Sequence, residues 1–303
     1  MSLDRVTVRV PATTANIGPG FDCLGIALDM FNTVHVALSA ETRIEVEGEG
    51  APFLPTGDKN LVYRAFQETY RRAGQEAPHV AIRSVNAIPL TRGLGSSASA
   101  IVGGAVAANA FLGGAVPQAE LLKVVVDIEG HPDNVTPALL GGFQVVVQTE
   151  EGGMVASRIP LAEGLRVVVF IPEAHLSTKA ARAVLPRRVS RKDAVFNLGR
   201  ATLLVNALSQ GEWKNLALAT QDRMHQPYRK ALLPILEPMI EAANGAGAHG
   251  AFLSGAGPTI AAFATDNVDA VSAAMLRTAK QWDAPGVIKV LSPCAEGAQI
   301  IEG

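Results

Sequence analysis

The spacing of apolar and polar residues predicts strands and helices along the whole chain. Val6–Val10 and His79–Val85 alternate with period two, which is typical of half-buried strands. Asn60–Gly74 carries apolar residues at helical spacing and ends on a glycine suited to a C-cap. Further strands are predicted at Leu28–Leu38, Arg43–Glu47, Phe143–Gln148, Met154–Ile159, Leu165–Pro172, within Ala251–Phe263, and at Gly286–Leu291. Further helices are predicted at Gln118–Ile128, Ser177–Leu185, Arg191–Leu208, Tyr228–Ala243 and Val268–Trp282.

These elements mix without a regular βαβ rhythm, which favours an α+β fold over a doubly wound α/β fold. The pattern changes near Leu165, where one strand is followed by long helical stretches. A chain of 303 residues is long enough for two ordinary domains. We therefore expect an N-terminal domain over residues 1–160 and a C-terminal domain over residues 161–303.

Composition and charge narrow the class of protein. The chain is 48% hydrophobic and 18% charged, and 26 basic against 28 acidic residues give a net charge of −2. This balance argues against a nucleic-acid partner or a membrane-surface protein. Cys23 and Cys294 lie far apart, and the first ten residues lack an apolar signal segment, so a cytoplasmic location is expected. The apolar stretch Ala98–Val116 is interpreted as a buried helix rather than a membrane span.

The most informative segment is the glycine- and serine-rich loop Pro89–Ala100, PLTRGLGSSASA, which opens a helix predicted to run to about Leu112. Serines at a helix start satisfy free N–H groups, and the remaining N–H groups attract anions. The loop lacks the lysine of the common P-loop but matches the looser fingerprint GxGxx[GA] at residues 93–98. A nicotinamide site is the weaker alternative, because the next acid, Glu120, follows Pro117 on a helix. A plain turn before a tightly packed helix is the other alternative.

Two more glycine-bearing polar loops, Pro11–Gly25 and Leu253–Thr259, accompany this loop in the chain. With them the chain resembles the GHMP kinase superfamily and, within it, the homoserine kinase family. The supporting segments, between about residues 8 and 260, are VPATTANIGPGFDCLGIAL, PLTRGLGSSASA, EGHPDNVTPALLGG, TKAARAVLP, VSRKDAVFNLGRATLLV, HQPYR and LSGAGPT. The resemblance implies a ribosomal-S5-like N-terminal domain and a ferredoxin-like C-terminal domain. It also implies phosphorylation of the L-homoserine hydroxyl by ATP in threonine biosynthesis, and it suggests a homodimer.

The resemblance also implies a nucleotide site with Mg²⁺. The residues expected to bind ATP are Pro89, Leu90, Thr91, Arg92, Gly93, Leu94, Gly95, Ser96, Ser97, Ala98 and Ser99. Ser97 and Glu129 are expected to hold Mg²⁺, which suits one hydroxyl and one carboxylate because the ion keeps several waters. Asp127 is the competing carboxylate.

An acceptor site for an amino acid is implied by the same likeness. The expected substrate residues are Asn16, Asp22, His131, Asn134, Thr178, Arg182, Arg229, Gly255 and Gly257. Asp22 would pair with the ammonium, and Arg182 with Arg229 would hold the carboxylate, with Arg223 as the alternative to Arg229. Asn134 would position the hydroxyl, so the catalytic set is Ser97, Glu129, Asn134 and Arg182.

We hypothesise that the hydroxyl attacks without a general base, because a loose phosphoryl-transfer transition state needs little prior deprotonation. Asp133 is the rival base. Two other functions remain open: a GHMP kinase with a sugar or isoprenoid acceptor, and a non-catalytic ATP-binding relative.

Overall fold

The computed structural model describes residues 3–303 and builds them on two sheets. In that range seven strands form the first sheet: β1 (Arg5–Ala15), β2 (Leu24–Leu38), β3 (Arg43–Gly48), β4 (Val80–Asn86), β5 (Phe143–Gln148), β6 (Met154–Ile159) and β11 (Gln299–Glu302). Four form the second sheet: β7 (Arg166–Pro172), β8 (Gly250–Leu253), β9 (Ile260–Ala264) and β10 (Gly286–Leu291). The long strand β2 pairs with β1, β4 and β5, and all its pairings are antiparallel.

The described chain also forms ten α-helices. They are α1 (Leu61–Arg72), α2 (Ser96–Phe111), α3 (Gln118–Glu129), α4 (Pro132–Leu140), α5 (Thr178–Ala183), α6 (Arg191–Gln210), α7 (Leu216–Ala219), α8 (Gln226–Arg229), α9 (Leu236–Gly245) and α10 (Val268–Gln281). Two sheets of mostly antiparallel strands, combined with these helices, confirm the α+β prediction.

Helix α2 is buried because its small residues let neighbouring elements approach closely. A Cβ added at Gly104 would lie 2.1 Å from the carbonyl oxygen of Val62 on α1. One added at Gly103 would lie 2.7 Å from a methyl carbon of Val34 on β2. This packing accounts for the apolar composition of the stretch, as predicted. In residues 3–303, no helix combines the length and apolarity that crossing a membrane requires.

Two features tie the sheets together. A core cluster joins Ile26 and Phe143 of the first sheet to Val167, Phe252 and Phe263 of the second. The last strand, β11, returns to the first sheet and pairs with β1. The domain boundary after residue 160 stays a prediction. Strand β11 lies beyond that boundary in the sequence but belongs to the first sheet, so the chain passes from the first sheet to the second and back.

Two local predictions were wrong, and one helix was not predicted. The first polar loop was expected to begin at Pro11, but β1 runs to Ala15, so the loop is confined to residues 16–23. The helix expected over Tyr228–Ala243 is instead α8 and α9, interrupted before Pro234, which cannot donate a helical hydrogen bond. Helix α4 was not among the predicted helices.

Candidate active site

The predicted loops converge on one cavity of about 450 Å³. Among the predicted residues it is lined by Asn16, Asp22, Leu90, Thr91, Arg92, Gly93, Gly95, Ser96, Ser97, Glu129, His131, Asn134, Thr178, Arg182, Arg229, Gly255 and Gly257. Pro89, Leu94, Ala98 and Ser99 do not line it, and the last three are fully buried. The cavity thus joins the N-terminus of α2, the start of α4, the short helix α5 and the β8–β9 loop.

The N-terminus of α2 presents free backbone N–H groups. Its N-cap is Gly95, at φ 73°, and no side chain caps the helix, so the prediction that serines satisfy these groups was wrong. Ser96 and Ser97 are instead the first two helical residues. A Cβ at Gly95 would lie 2.0 Å from Thr13 Oγ1. Only glycine fits here, and uncapped N–H groups at a helix start are the kind of group that can bind an anion.

The β8–β9 loop is hydrogen-bonded to the glycine loop that precedes α2. Ser254 Oγ donates to the carbonyl oxygen of Gly93 at 2.6 Å, and the backbone N–H of Thr259 donates to the carbonyl oxygen of Arg92 at 3.2 Å. Gly93 lies at φ 76°, and a Cβ there would come within 2.2 Å of the Ser254 carbonyl oxygen. The two glycine loops therefore depend on each other's backbone.

Ser97 and Glu129 meet inside the cavity. Ser97 Oγ donates to Glu129 Oε1 at 2.6 Å, and the Glu129 side chain is 10% exposed. Burial raises the pKa of the Glu129 carboxyl. Asp127 lies outside the cavity and pairs with Arg72 at 3.0 Å. A hydroxyl and a carboxylate in contact form the type of oxygen pair that binds Mg²⁺.

The first turn of α4 forms a hydrogen-bonded cluster around Asp133. The Asp133 carboxylate is buried and accepts from Asn134 Nδ2 at 3.2 Å and contacts His131 Nδ1 at 2.9 Å. Thr13 Oγ1 donates to Asn134 Oδ1 at 2.8 Å. Burial alone would lower the pKa of His131, but the hydrogen bond and charge of Asp133, with Glu129 nearby, raise it overall. The Asn134 amide is thereby fixed in orientation.

Asp22 and Arg182 form a two-point ion pair across the cavity. Arg182 Nη2 and Nη1 donate to the two Asp22 carboxylate oxygens at 2.7 and 3.0 Å. Asp22 sits in a left-handed turn, and its backbone N–H donates to Asn16 Oδ1 at 3.0 Å. The Asn16 amide also donates to the carbonyl oxygen of Gly255 at 2.8 Å. The pair connects the first polar loop to α5.

Arg229 is buried, with 1% of its surface exposed, and lines the same cavity. Its Nε donates to the carbonyl oxygen of Ala181 at 3.1 Å and its Nη1 to that of Gly255 at 3.0 Å. Burial and the positive charge of Arg182 lower the pKa of Arg229 to about 10, so it remains charged at neutral pH. Arg223 does not line the cavity.

Comparison with known proteins places this chain in a family. Residues 60–142 match the GHMP kinases N terminal domain, and residues 204–281 match GHMP kinases C terminal. The homoserine kinase of Microchaete diplosiphon is 46% identical over 98% of this chain and 97% of its own, and that of Moorella thermoacetica is 42% identical over 97% and 99%. The chain belongs to the homoserine kinase family of the GHMP kinases. The crystal structure of a homoserine kinase from Cytophaga hutchinsonii superimposes with a TM-score of 0.90 at 29% identity, covering 99% of this chain and 98% of that one.

Membership of the homoserine kinase family overturns the nicotinamide alternative. The strand before the glycine loop, β4, pairs antiparallel with β2 and parallel with β3, so the loop follows a strand of a mixed sheet, whereas a dinucleotide loop follows the first strand of a parallel sheet. The fold and the kinase class predicted by the resemblance are confirmed.

Arg92, expected to bind phosphate, directs its guanidinium to backbone carbonyls. Its Nε donates to the carbonyl oxygen of Pro172 at 2.6 Å and its Nη2 to that of Glu173 at 2.5 Å. It also contacts His175, which accepts from Thr91 Oγ1 or donates to it at 2.7 Å. Burial lowers the pKa of Arg92. In this member of the homoserine kinase family, Arg92 therefore joins the α2 loop to the end of β7.

Sequence reasoning missed the other end of the cavity. Beyond the α2 loop, the wall consists of Val46, Leu54, Pro55, Lys59, Asn60, Leu61, Val62, Ser84 and Asn86. These residues come from three separated segments, so no short motif marks them. The available signal was the glycine- and proline-containing loop between β3 and α1.

Proposed function

We propose that the cavity transfers the γ-phosphoryl group of ATP to the side-chain hydroxyl of L-homoserine, giving O-phospho-L-homoserine and ADP. One observation carries the proposal: the uncapped start of α2 and the Ser97–Glu129 pair share a cavity with Asp22, Arg182 and Arg229. An anion site and a site for a zwitterion are thus adjacent. The homoserine kinase relatives support this assignment and a role in threonine biosynthesis.

The nucleotide would occupy the half of the cavity that runs from α2 to β3. The free N–H groups of the first turn of α2 would bind the β- and γ-phosphates. The apolar side chains Val46, Leu61 and Val62 would pack against the base, with Asn60 and Ser84 as polar partners. This assigns a function to the wall that sequence reasoning missed.

Ser97 and Glu129 would hold Mg²⁺. The residues fit the ion because the Glu129 carboxylate is buried, its hydrogen-bond partner is the neutral Ser97 hydroxyl, and His131 Nε2 lies farther away at 3.8 Å. A bound cation would offset the cost of burying the carboxylate. Across residues 3–303 no cluster of three or more His, Cys, Asp or Glu side chains forms a metal site, so phosphate and water would complete the coordination. When bound, the ion neutralises charge on the phosphates.

The acceptor would be held by its two charges. Asp22 would pair with the ammonium, and Arg182 and Arg229 would bind the carboxylate. The Asp22–Arg182 ion pair would separate when the acceptor binds. Asp22 would then pair with the ammonium of the substrate, and Arg182 with its carboxylate. Thr178 and Gly255 line this part of the cavity and would limit the length of the acceptor.

Asn134 would orient the hydroxyl for in-line attack. Thr13 and Asp133 occupy one acceptor and one donor site of its amide, which leaves an N–H for the hydroxyl oxygen. The hydroxyl proton would leave late, to a phosphate oxygen or to water. Asp133 is already engaged by Asn134 and His131, which supports a positioning role over that of a base.

The deciding experiment measures ADP release with ATP and Mg²⁺ against a panel of hydroxyl acceptors. We expect turnover with L-homoserine at a kcat/KM at least 100-fold above that with mevalonate or galactose. No turnover with any amino-acid acceptor would refute the proposal. A cytoplasmic location and a homodimer remain predictions.

A further inference from the structure

Phe21 lies among the charged groups of the acceptor site without lining the cavity. The Cζ atoms of Arg182 and Arg229 lie 5.5 and 5.6 Å from the centre of its ring. The ring also stacks on His225, with the centroids 5.3 Å apart and the planes at 30°. One aromatic side chain therefore contacts both guanidinium groups that face the acceptor.

These two guanidinium groups repel each other because both are positively charged, and after burial the charge of Arg182 is the next cause that lowers the pKa of Arg229. An aromatic face within about 6 Å of a cation attracts it through the ring quadrupole. His225 is fully buried, and its Nε2 donates to the carbonyl oxygen of Gly18 at 2.6 Å. Its Nδ1 then accepts from Arg229 Nη1 at 3.1 Å. Both ring nitrogens of His225 are thus hydrogen-bonded, so the imidazole on which Phe21 stacks is fixed in place.

We propose that Phe21 is a positioning residue that holds Arg182 and Arg229 together as one receptor for the carboxylate of the acceptor. Together with the Asp22 carboxylate that pairs with Arg182, the ring offsets the repulsion between the two cations and keeps both directed at the same cavity. The inference rests on the proposed function, and it makes Phe21 a determinant of specificity for acceptors that carry a carboxylate.

The test compares L-homoserine with its carboxamide, in which a neutral amide replaces the carboxylate. Phe21→Leu should raise KM for L-homoserine about 10-fold, equivalent to ~1.4 kcal/mol. KM for ATP should remain within twofold of its normal value. For the carboxamide, the constant measured is KM if the enzyme phosphorylates it, or the inhibition constant against homoserine if it does not. Either constant should change by less than twofold. Phe21→Tyr keeps the ring face and should restore the affinity for homoserine.

The chain offers a matched control in Phe196. Its ring lies 3.5 Å from Arg200 Cζ and 3.9 Å from Arg223 Cζ, and none of the three residues lines the cavity. Phe196→Leu removes the same chemistry away from the site. It should leave both acceptor constants unchanged.

The outcomes separate the two proposals. If the unaltered enzyme fails to phosphorylate homoserine, the proposed function fails. If the unaltered enzyme does phosphorylate homoserine, two results would refute the positioning role of Phe21. Phe21→Leu would either weaken the binding of homoserine and of its carboxamide equally, or weaken the binding of neither. Phe21→Met conserves apolar volume without a ring face and replaces the leucine variant should that one not fold. For this methionine variant, too, KM for homoserine should rise while the constant for the carboxamide stays within twofold.

Discussion

Glu129 and Asp127 lie two residues apart at the end of α3, and only Glu129 faces the cavity. Glu129→Gln keeps the size of the side chain but removes the charge expected to bind Mg²⁺. We expect kcat to fall about 100-fold or more, and the Mg²⁺ concentration for half-maximal rate to rise. Asp127→Asn is the matched control and should change neither value by more than twofold. Equal effects of the two variants would remove Glu129 from the metal site.

The buried Glu129 carboxyl also predicts a pH dependence. Its pKa is raised by burial, so in the free enzyme it takes up a proton at a higher pH than an ordinary glutamate does. The neutral acid cannot attract a cation, so kcat/KM should decline on the acid side before ordinary carboxyl groups titrate. A profile of kcat/KM against pH at low Mg²⁺ tests this, since it reports groups of the free enzyme. Saturating Mg²⁺ should move the acid limb to lower pH.

Asp133 separates a positioning role from general-base catalysis. If Asp133 orients Asn134 and His131, Asp133→Asn should raise KM for homoserine and lower kcat by about 10-fold together, because an uncharged amide oxygen is a weaker acceptor than the carboxylate for Asn134 Nδ2 and His131 Nδ1. The control is Asp193→Asn, which alters a carboxylate paired with Arg223 outside the cavity. Abolished turnover with both substrate affinities intact would show that Asp133 is the base.

The residues of the site divide by how far sequence can predict them. Ser97, Glu129 and Arg229 stand in compact motifs, so a resemblance was enough to single them out, and the structure brings them to one cavity. The environment of Arg92 was not predictable, because the carbonyl oxygens that it binds lie about eighty positions along the chain. Contacts formed only by tertiary structure leave no local pattern.

Among the secondary-structure elements, helix α2 has a glycine at each end, Gly95 and Gly113, and we expect substitutions at the two positions to affect nucleotide binding differently. Gly95→Ala places a Cβ against Thr13 Oγ1 and strains a backbone at φ 73°, so the first turn must shift. We expect KM for ATP to rise at least 10-fold. Gly113→Ala imposes similar strain at φ 66° beyond the other end of α2, where nothing lies within 4 Å of the new Cβ. It should cost about 1 kcal/mol of stability and leave KM for ATP unchanged.

Elements with clear periodicity were predicted well, and those that depend on tertiary contacts were not. Strands β5, β6 and β10 have the predicted bounds. Helix α4 was missed because Pro132 and Pro137 suggest a loop. Pro132 is the first helical residue, where its missing N–H costs nothing. Pro137 leaves the Asp133 carbonyl without a helical donor, and Gly25 of β2 packs closely against that oxygen.

Across the two sheets, we expect Arg92 to couple the nucleotide end of the cavity to the acceptor end. Its guanidinium holds the α2 loop to the segment after β7, which leads into α5 and Arg182. Arg92→Met removes these bonds, so both the nucleotide and the acceptor ends lose their shared anchor. We expect Tm to fall by about 4 °C, and the two KM values to rise together.

The control for this coupling is Arg83→Met, which breaks the exposed two-point pair of Arg83 with Glu47 on the first sheet. It should alter neither KM nor Tm measurably. A phosphate ligand would behave differently from an anchor: Arg92→Met would then raise KM for ATP alone and leave Tm unchanged. Measuring both KM values and Tm on the same two variants distinguishes these roles. A rise confined to ATP would return Arg92 to the nucleotide site, while a joint rise with lower Tm makes it the link between the sheets.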